Sequence, residues 1–299
     1  MNNNTFKAHL SLFAAQVIYA LNYSIAKDLM PLHVQPLGLV MLRITGACIL
    51  FWTVSVFIKT HPLEKKDFKH MMLLALFGVA VNQGFFIYGL SLTKPINSAI
   101  IMVSNPIVVI VFTWIIAREK ITVYKLSGLL LGIVGAMILL LFKGSFSFGS
   151  ETVVGDIMTL INSLSWAVFI VMSRPFMQKY HTVTVMKWVF LFGFIFFAPF
   201  GTADVLAIKW SELSAQVYFA IGFVIVATTF LAYFLNTYAL KTLSSSVVSM
   251  YIYAQPFLAT LFAMLMGKDN LTPIKILSGC LIIAGVYLAS MKPPKKADA

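Results

Sequence analysis

Apolar residues in this chain fall in ten runs, over roughly 8–27, 36–58, 70–91, 95–117, 122–142, 153–173, 183–203, 215–240, 244–266 and 272–291, parted by short turns. A helix needs about twenty apolar residues to cross a hydrocarbon layer about 30 Å thick. The pattern therefore predicts ten transmembrane helices and an all-α integral membrane protein. The connections are mostly too short to form a soluble domain, so any chemistry is expected within the bilayer or at its edges.

The polar residues inside the runs are few and spaced at helical intervals. Gln16, Tyr19 and Tyr23 fall on one face of the first run by steps of three and four, while Asn22 is expected to point elsewhere. The third run brings Asn82, Gln83 and Phe86, the fourth Ser98, Met102 and Asn105, and the sixth Asn162, Trp166 and Ser173. Tyr233 and Asn236 follow in the eighth, and Tyr251 and Gln255 in the ninth. Such stripes either hydrogen-bond helix to helix or line a cavity between helices. Two basic residues also sit inside runs, Arg43 in the second and Lys187 in the seventh. An ionisable group at that depth marks a functional site unless it snorkels to the headgroups. One that reached a cavity would suit a carboxylate on a substrate.

One stretch occurs twice. Tyr88, Asn105-Pro106, Glu119, Thr122 and Lys125 are matched by Tyr238, Gln255-Pro256, Asp269, Thr272 and Lys275, each 150 residues on (238 − 88, 256 − 106, 275 − 125). Five runs per copy is an odd number, so the second copy starts on the opposite side of the membrane and is inverted. The expected units are 1–146 and 147–299, joined by the turn-forming stretch 143–151. Pro106 and Pro256 each lie mid-run and leave the carbonyls of Met102 and Ile252 without a helical donor. Such helix breaks are tolerated only beside protein or a wet cavity.

Charge fixes the expected orientation. Of the 22 basic residues, 14 lie in the turns and termini on the N-terminal side (Lys7, Lys59, Lys65, Lys66, Lys69, Arg118, Lys120, Lys125, Arg174, Lys179, Lys241, Lys292, Lys295 and Lys296), against 6 on the other. By the positive-inside rule both termini are expected in the cytoplasm of a cell whose inner membrane holds the chain. The same rule accounts for the net charge of +12 without nucleic acid. Cys48 and Cys280 lie within runs, as packed thiols rather than a disulfide framework.

Catalysis finds little support. The five histidines sit at run ends or in turns, with none at metal-ligand spacing and no nucleophile beside a base, so no cofactor or metal is expected. The ten acidic residues also lie in turns or near run ends, which leaves no mid-membrane carboxylate for a proton relay unless Asp156 reaches inward.

The repeated prolines Pro106 and Pro256, the acidic-to-Thr turns Glu119–Thr122 and Asp269–Thr272, the glycine-rich helices after them (Gly128 to Gly135, Gly279 to Gly285) and Arg43 together give a chain that resembles EamA-type members of the drug/metabolite transporter superfamily, over nearly its whole length. The second repeat departs from the family pattern at Asp269-Asn270, where Glu and a basic residue are usual. The resemblance implies two inverted five-helix repeats around a central cavity lined by the first, third, fourth, sixth, eighth and ninth helices, and export of amino acids or related metabolites by alternating access. Gln16, Tyr19, Tyr23, Arg43, Gln83, Asn105, Asn162, Trp166, Tyr233, Asn236, Tyr251 and Gln255 are the expected substrate contacts. Expected partners are the substrate, membrane lipids and a second copy docked through the glycine-rich fifth and tenth helices. Export of drugs, flipping of lipid-linked sugars and a role as an embedded enzyme or assembly factor are the alternatives.

Overall fold

A computed structural model describes residues 3–30, 32–59, 61–143, 151–265 and 272–291. The linker residues 144–150, the turn from Lys268 to Leu271 and the C-terminal lysines Lys292, Lys295 and Lys296 lie outside the described residues, as does the side chain of Tyr23.

The described residues fold into helices and turns, with eight helices long and apolar enough to cross a membrane. They are Pro36–Phe57, Lys65–Leu92, Asn97–Ala117, Val123–Leu141, Val153–Lys179, Thr182–Leu206, Ala215–Ala239 and Pro273–Ser290. The first and ninth runs expected from the pattern are helical as well. Helix α1 (Asn3–Leu29) carries Lys7, His9, Gln16 and Asn22 among its apolar residues. The ninth run is split into α12 (Ser245–Met250), a 3-10 turn (Tyr251–Tyr253) and α13 (Ala254–Leu265). Eight of the ten expected spans are thus identified among the described residues.

The other helices are α2 (Pro36–Phe57), α3 (Phe68–Ala75), α4 (Asn82–Leu92), α5 (Pro95–Met102), α6 (Asn105–Ala117), α7 (Val123–Lys143), α8 (Val153–Lys179), α9 (Thr182–Leu206), α10 (Ala215–Phe223), α11 (Ala232–Ala239) and α14 (Pro273–Ser290). Their pairing is reciprocal. Helix α2 packs on α9 and α7 on α14, while α8 packs on α4 and α6 just as α1 packs on α11 and α13. The main core gathers Phe51, Phe169, Phe190 and Ile44 among the helices around the centre, and a smaller one holds Tyr253 against α7 and α14.

The α7–α14 contact is backbone on backbone. A Cβ at Gly128 would stand 2.5 Å from the Gly285 carbonyl oxygen, and one at Gly285 would stand 2.7 Å from that of Gly128. The glycine faces of the fifth and tenth runs are thus taken up within the chain, as small residues in membranes commonly are. Cys48 is buried as expected, but Cys280 is exposed on the outer surface of α14.

Two features aim the centre of the bundle. The third and eighth runs each contain a π-helical segment, Leu76–Val81 and Val224–Leu231, the first of which lies within the second when shifted by 150 (76 + 150 = 226, 81 + 150 = 231). A π turn re-aims the side chains that follow it and recurs at functional sites. The prolines do break their helices: α5 ends at Met102 and α6 restarts at Asn105, and the 3-10 turn Tyr251–Tyr253 precedes Pro256.

A polar cavity at the centre of the bundle

A cavity of about 80 Å³ is lined by α1, α2, α4, the Met102 end of α5, α8, the second π segment, α11, α12, the 3-10 turn Tyr251–Tyr253 and the start of α13. Nine of the twelve expected contacts line it: Gln16, Tyr19, Arg43, Gln83, Asn162, Trp166, Tyr233, Asn236 and Gln255. This is room for a few waters rather than for the 300–1,000 Å³ of an open ligand pocket.

Hydrogen bonds hold most of these side chains in place, and several do so in matched pairs. Gln255 Nε2 donates to Gln16 Oε1 at 2.7 Å, and Asn105 Nδ2 donates to the Ser163 carbonyl at 2.7 Å and to Ser163 Oγ at 3.2 Å. These two contacts are counterparts, since 105 + 150 = 255 and 16 + 147 = 163, where 147 is the shift that superposes Tyr19 on Trp166. Asn82 and Asn162 exchange side-chain-to-carbonyl bonds at 3.3 and 2.8 Å. The Tyr233 hydroxyl lies 2.9 Å from the Gly78 carbonyl oxygen and 2.8 Å from Asn82 Oδ1, acceptors that share its single proton. Its ring meets Trp166 edge-on with centroids 5.3 Å apart.

Arg43 is 3% exposed. It does not snorkel. Its Nε donates to Thr229 Oγ1 at 2.9 Å, and Thr229 in turn donates to the Val224 carbonyl, five residues earlier, across the π turn. The π segment therefore presents a side-chain oxygen to the guanidinium, but no carboxylate does so among the described residues. Arg43 Nη1 is left without a partner, as are both polar atoms of Gln83, Asn22 Oδ1, Asn162 Oδ1 and Thr228 Oγ1, all on residues that line the cavity. A buried unpaired polar atom costs about 1–3 kcal/mol, and more when charged. Donors and acceptors without protein partners converge here on one small space.

Three expected contacts fall elsewhere or cannot be placed. Asn105 does not line the cavity; its Nδ2 is taken by Ser163, tying α6 to α8, while its Oδ1 has no partner. Tyr251 is turned toward α1, where its hydroxyl meets His9 Nδ1 at 2.6 Å. The Tyr23 side chain lies outside the described residues. Lys187 is not in the cavity either, but stands 4.9 Å over the Trp52 ring. Asp156 does not reach inward. It is held by Thr93 and Thr152 hydroxyls at 2.6 and 3.0 Å and by the Asn97 amide, and does not line the cavity.

The cavity also includes Asn22, Asn82, Phe86, Met102, Thr228, Val248 and Ile252. Asn22 corrects the expectation that it points away: it lies three residues beyond Tyr19, and that step alone keeps it on the cavity side. Met102 and Ile252 carry the signal of the prolines four residues later, since their carbonyls were the ones expected to lose helical donors. Thr228 and Val248 gave no signal, because nothing in an apolar run tells a cavity-facing residue from a lipid-facing one.

A helical bundle that spans a membrane many times around a central cavity lined by polar side chains, with mid-span helix breaks on both sides of it, is the architecture of a membrane transporter. The comparisons with known proteins agree. The profile of the EamA-like transporter family matches residues 6–141 and 153–291, and the chain belongs to that family, within the drug/metabolite transporter superfamily. An uncharacterized transporter of Archaeoglobus fulgidus is 28% identical over 295 residues, covering 96% of this chain and 98% of the relative. The uncharacterized transporter YetK of Bacillus subtilis is 22% identical, covering 98% of this chain and 89% of its own. A WAT1-related protein of Arabidopsis thaliana, At3g53210, is 23% identical over 95% of this chain and 85% of the relative. A solved crystal structure at 19% identity superposes with a TM-score of 0.75, covering 95% of this chain and 96% of the other, which shows the fold.

Proposed function

We propose that this transporter moves small carboxylate-bearing metabolites, amino acids foremost, through the central cavity by alternating access. The observation that carries the reading is Arg43, a guanidinium sealed at the heart of the bundle with one nitrogen unpartnered and no carboxylate beside it. A charge at that depth costs several kcal/mol and is rarely kept without a task. A substrate carboxylate would pair with it. The unpartnered oxygens of Asn22, Gln83 and Asn162 are the acceptors available to a substrate amino group, and Tyr19, Phe86, Trp166 and Tyr233 supply walls for an apolar side chain.

In this reading the units 1–146 and 147–299 rock against one another, and the reciprocal pairing of the helices supports their inverted relation. Membership of a transporter family favours carriage over catalysis. The chain would lie in the inner membrane with both termini in the cytoplasm, as its basic residues favour. A homodimer through α7 and α14 would use their outer sides, where Leu130, Val134, Leu277 and Ile283 are exposed.

Flipping of lipid-linked sugars would call for a lateral groove with a polar lining, and the lateral groove formed by Leu37, Leu76, Val81, Phe85, Phe196 and Phe200 is apolar. That favours a water-soluble substrate. The test is thermal stabilisation of the purified protein by a panel of amino acids and organic acids. Stabilisation by some of them, lost in Arg43→Gln and in Trp166→Ala, is the expected result; stabilisation unaffected by both substitutions would place the site elsewhere.

A further inference from the structure

A second pocket, of about 490 Å³, opens at the end of the bundle that carries most of the basic residues, and is lined by Lys59, His61, Met177, Gln178, Lys179, Tyr180, His181 and Lys241. Its walls come from the ends of α2, α8 and α11 and the turn into α9. Neighbouring carboxylates do not neutralise it. Lys179 bridges Glu64 and Asp67 at 2.7 and 2.8 Å, Lys66 holds Glu64 at 2.7 Å, and the Tyr180 hydroxyl donates to Asp67 at 2.6 Å. Two lysines and two carboxylates balance in that cluster. Lys59 and Lys241 remain, with no carboxylate within 4.0 Å of either among the described residues, so the pocket keeps two uncompensated charges beside two histidines.

Lys241 is half-buried, and burial holds its ammonium below its ordinary pKa. His181 is lowered as well, by burial first and by Lys241 second. Burial is the main cause of both shifts, and His181 is a neutral ring at neutral pH whose Nδ1 accepts from the Val183 N–H. The lipid-facing surface leads directly to the pocket: Val56 and Phe57, at the end of α2 and next to Lys59, are 80% and 83% exposed. An acyl chain lying along that end of α2 would bring its headgroup to Lys59.

We propose that this pocket binds the phosphate of an anionic lipid headgroup, with Lys59 and Lys241 as its two charged contacts and His61 and His181 as further donors. Basic pockets between helix ends are suited to such headgroups, and each basic residue adds to the attraction. The site differs from the transport cavity in position and chemistry, and shares no residue with it.

Native mass spectrometry of the full-length protein in detergent, mixed with phosphatidylglycerol or phosphatidylcholine of matched chain length, tests the proposal. The wild type is expected to keep phosphatidylglycerol adducts over phosphatidylcholine by about tenfold or more. The preference should vanish in Lys59→Gln/Lys241→Gln and survive both in Lys59→Arg/Lys241→Arg and in Lys65→Gln/Lys69→Gln, which removes two charges near the same end but outside the pocket. Equal loss in that control would mean diffuse surface charge and overturn the site, as would absence of any preference in wild-type protein whose circular dichroism shows it folded. Stabilisation by millimolar inorganic phosphate in lipid-free micelles, lost in the same Lys59→Gln/Lys241→Gln protein, would overturn the lipid assignment in favour of a soluble phosphate.

Discussion

At the scale of the residue, Arg43 sets function against stability. A buried guanidinium with an unpartnered nitrogen destabilises the resting protein, because removing a charge from water is repaid only by good pairing. Arg43→Met should therefore unfold at a temperature equal to or above the wild type's in a detergent melt, while substrate binding falls. A charge-assisted hydrogen bond is worth about 1.5–3 kcal/mol, so the loss of affinity should be about thirtyfold. A drop in both stability and affinity would point to a structural role instead. Arg43 was legible in the sequence because an ionisable group stands out in an apolar run. Asn105 and Tyr251 stood out equally, yet the Asn105 amide nitrogen is taken by Ser163 and the Tyr251 hydroxyl by His9, and neither residue lines the cavity. Sequence spacing gives a residue's face on its own helix, but not what its neighbours offer it.

At the scale of the element, the helices divide into rigid and jointed ones. Helices α7 and α14 meet through glycine with no space for a side chain, and Gly285→Val should cost about 1–3 kcal/mol by overpacking. Gly222, whose added Cβ would meet nothing within 4 Å, is the matching control, and Gly222→Ala should be neutral or mildly stabilising. Thermal melts of the two variants read both outcomes. The prolines announced the joints of the fourth and ninth runs, and the structure puts the breaks where they were expected. The π segments were silent, since Leu76–Val81 and Val224–Leu231 look like any apolar stretch and their register follows from tertiary packing.

The helix ends carry a second kind of element contact. Glu119, in the turn after α6, pairs with Arg174 near the end of α8 and with Lys125 in α7, so it ties three helices together. Lys179 does the same for Glu64 and Asp67. Those contacts hold both carboxylates below their ordinary range and raise Lys179 above its own. Carboxylates with lowered folded-state pKa values contribute stability above their unfolded value, about pH 4, and lose it as pH falls through the folded value; a raised lysine contributes below about pH 10 and loses it as pH rises further. The difference in melting temperature between wild type and Lys179→Ala should thus be flat through neutral pH and shrink below about pH 4. A difference that grew on acidification would contradict this pairing.

At the scale of the whole molecule, the run pattern gave the all-helical membrane fold and the 150-residue shift gave its internal correspondence, because both depend on periodicity and composition. Counterflow uptake of radiolabelled amino acids and organic acids into proteoliposomes, without an ion gradient, tests the central claim that this one cavity carries the substrate. The account predicts uptake of at least one carboxylate-bearing compound by the wild type, reduced about tenfold or more by Arg43→Gln and by Trp166→Ala. Uptake that persists unchanged in both variants, or a folded wild-type protein that carries none of these compounds, would contradict it.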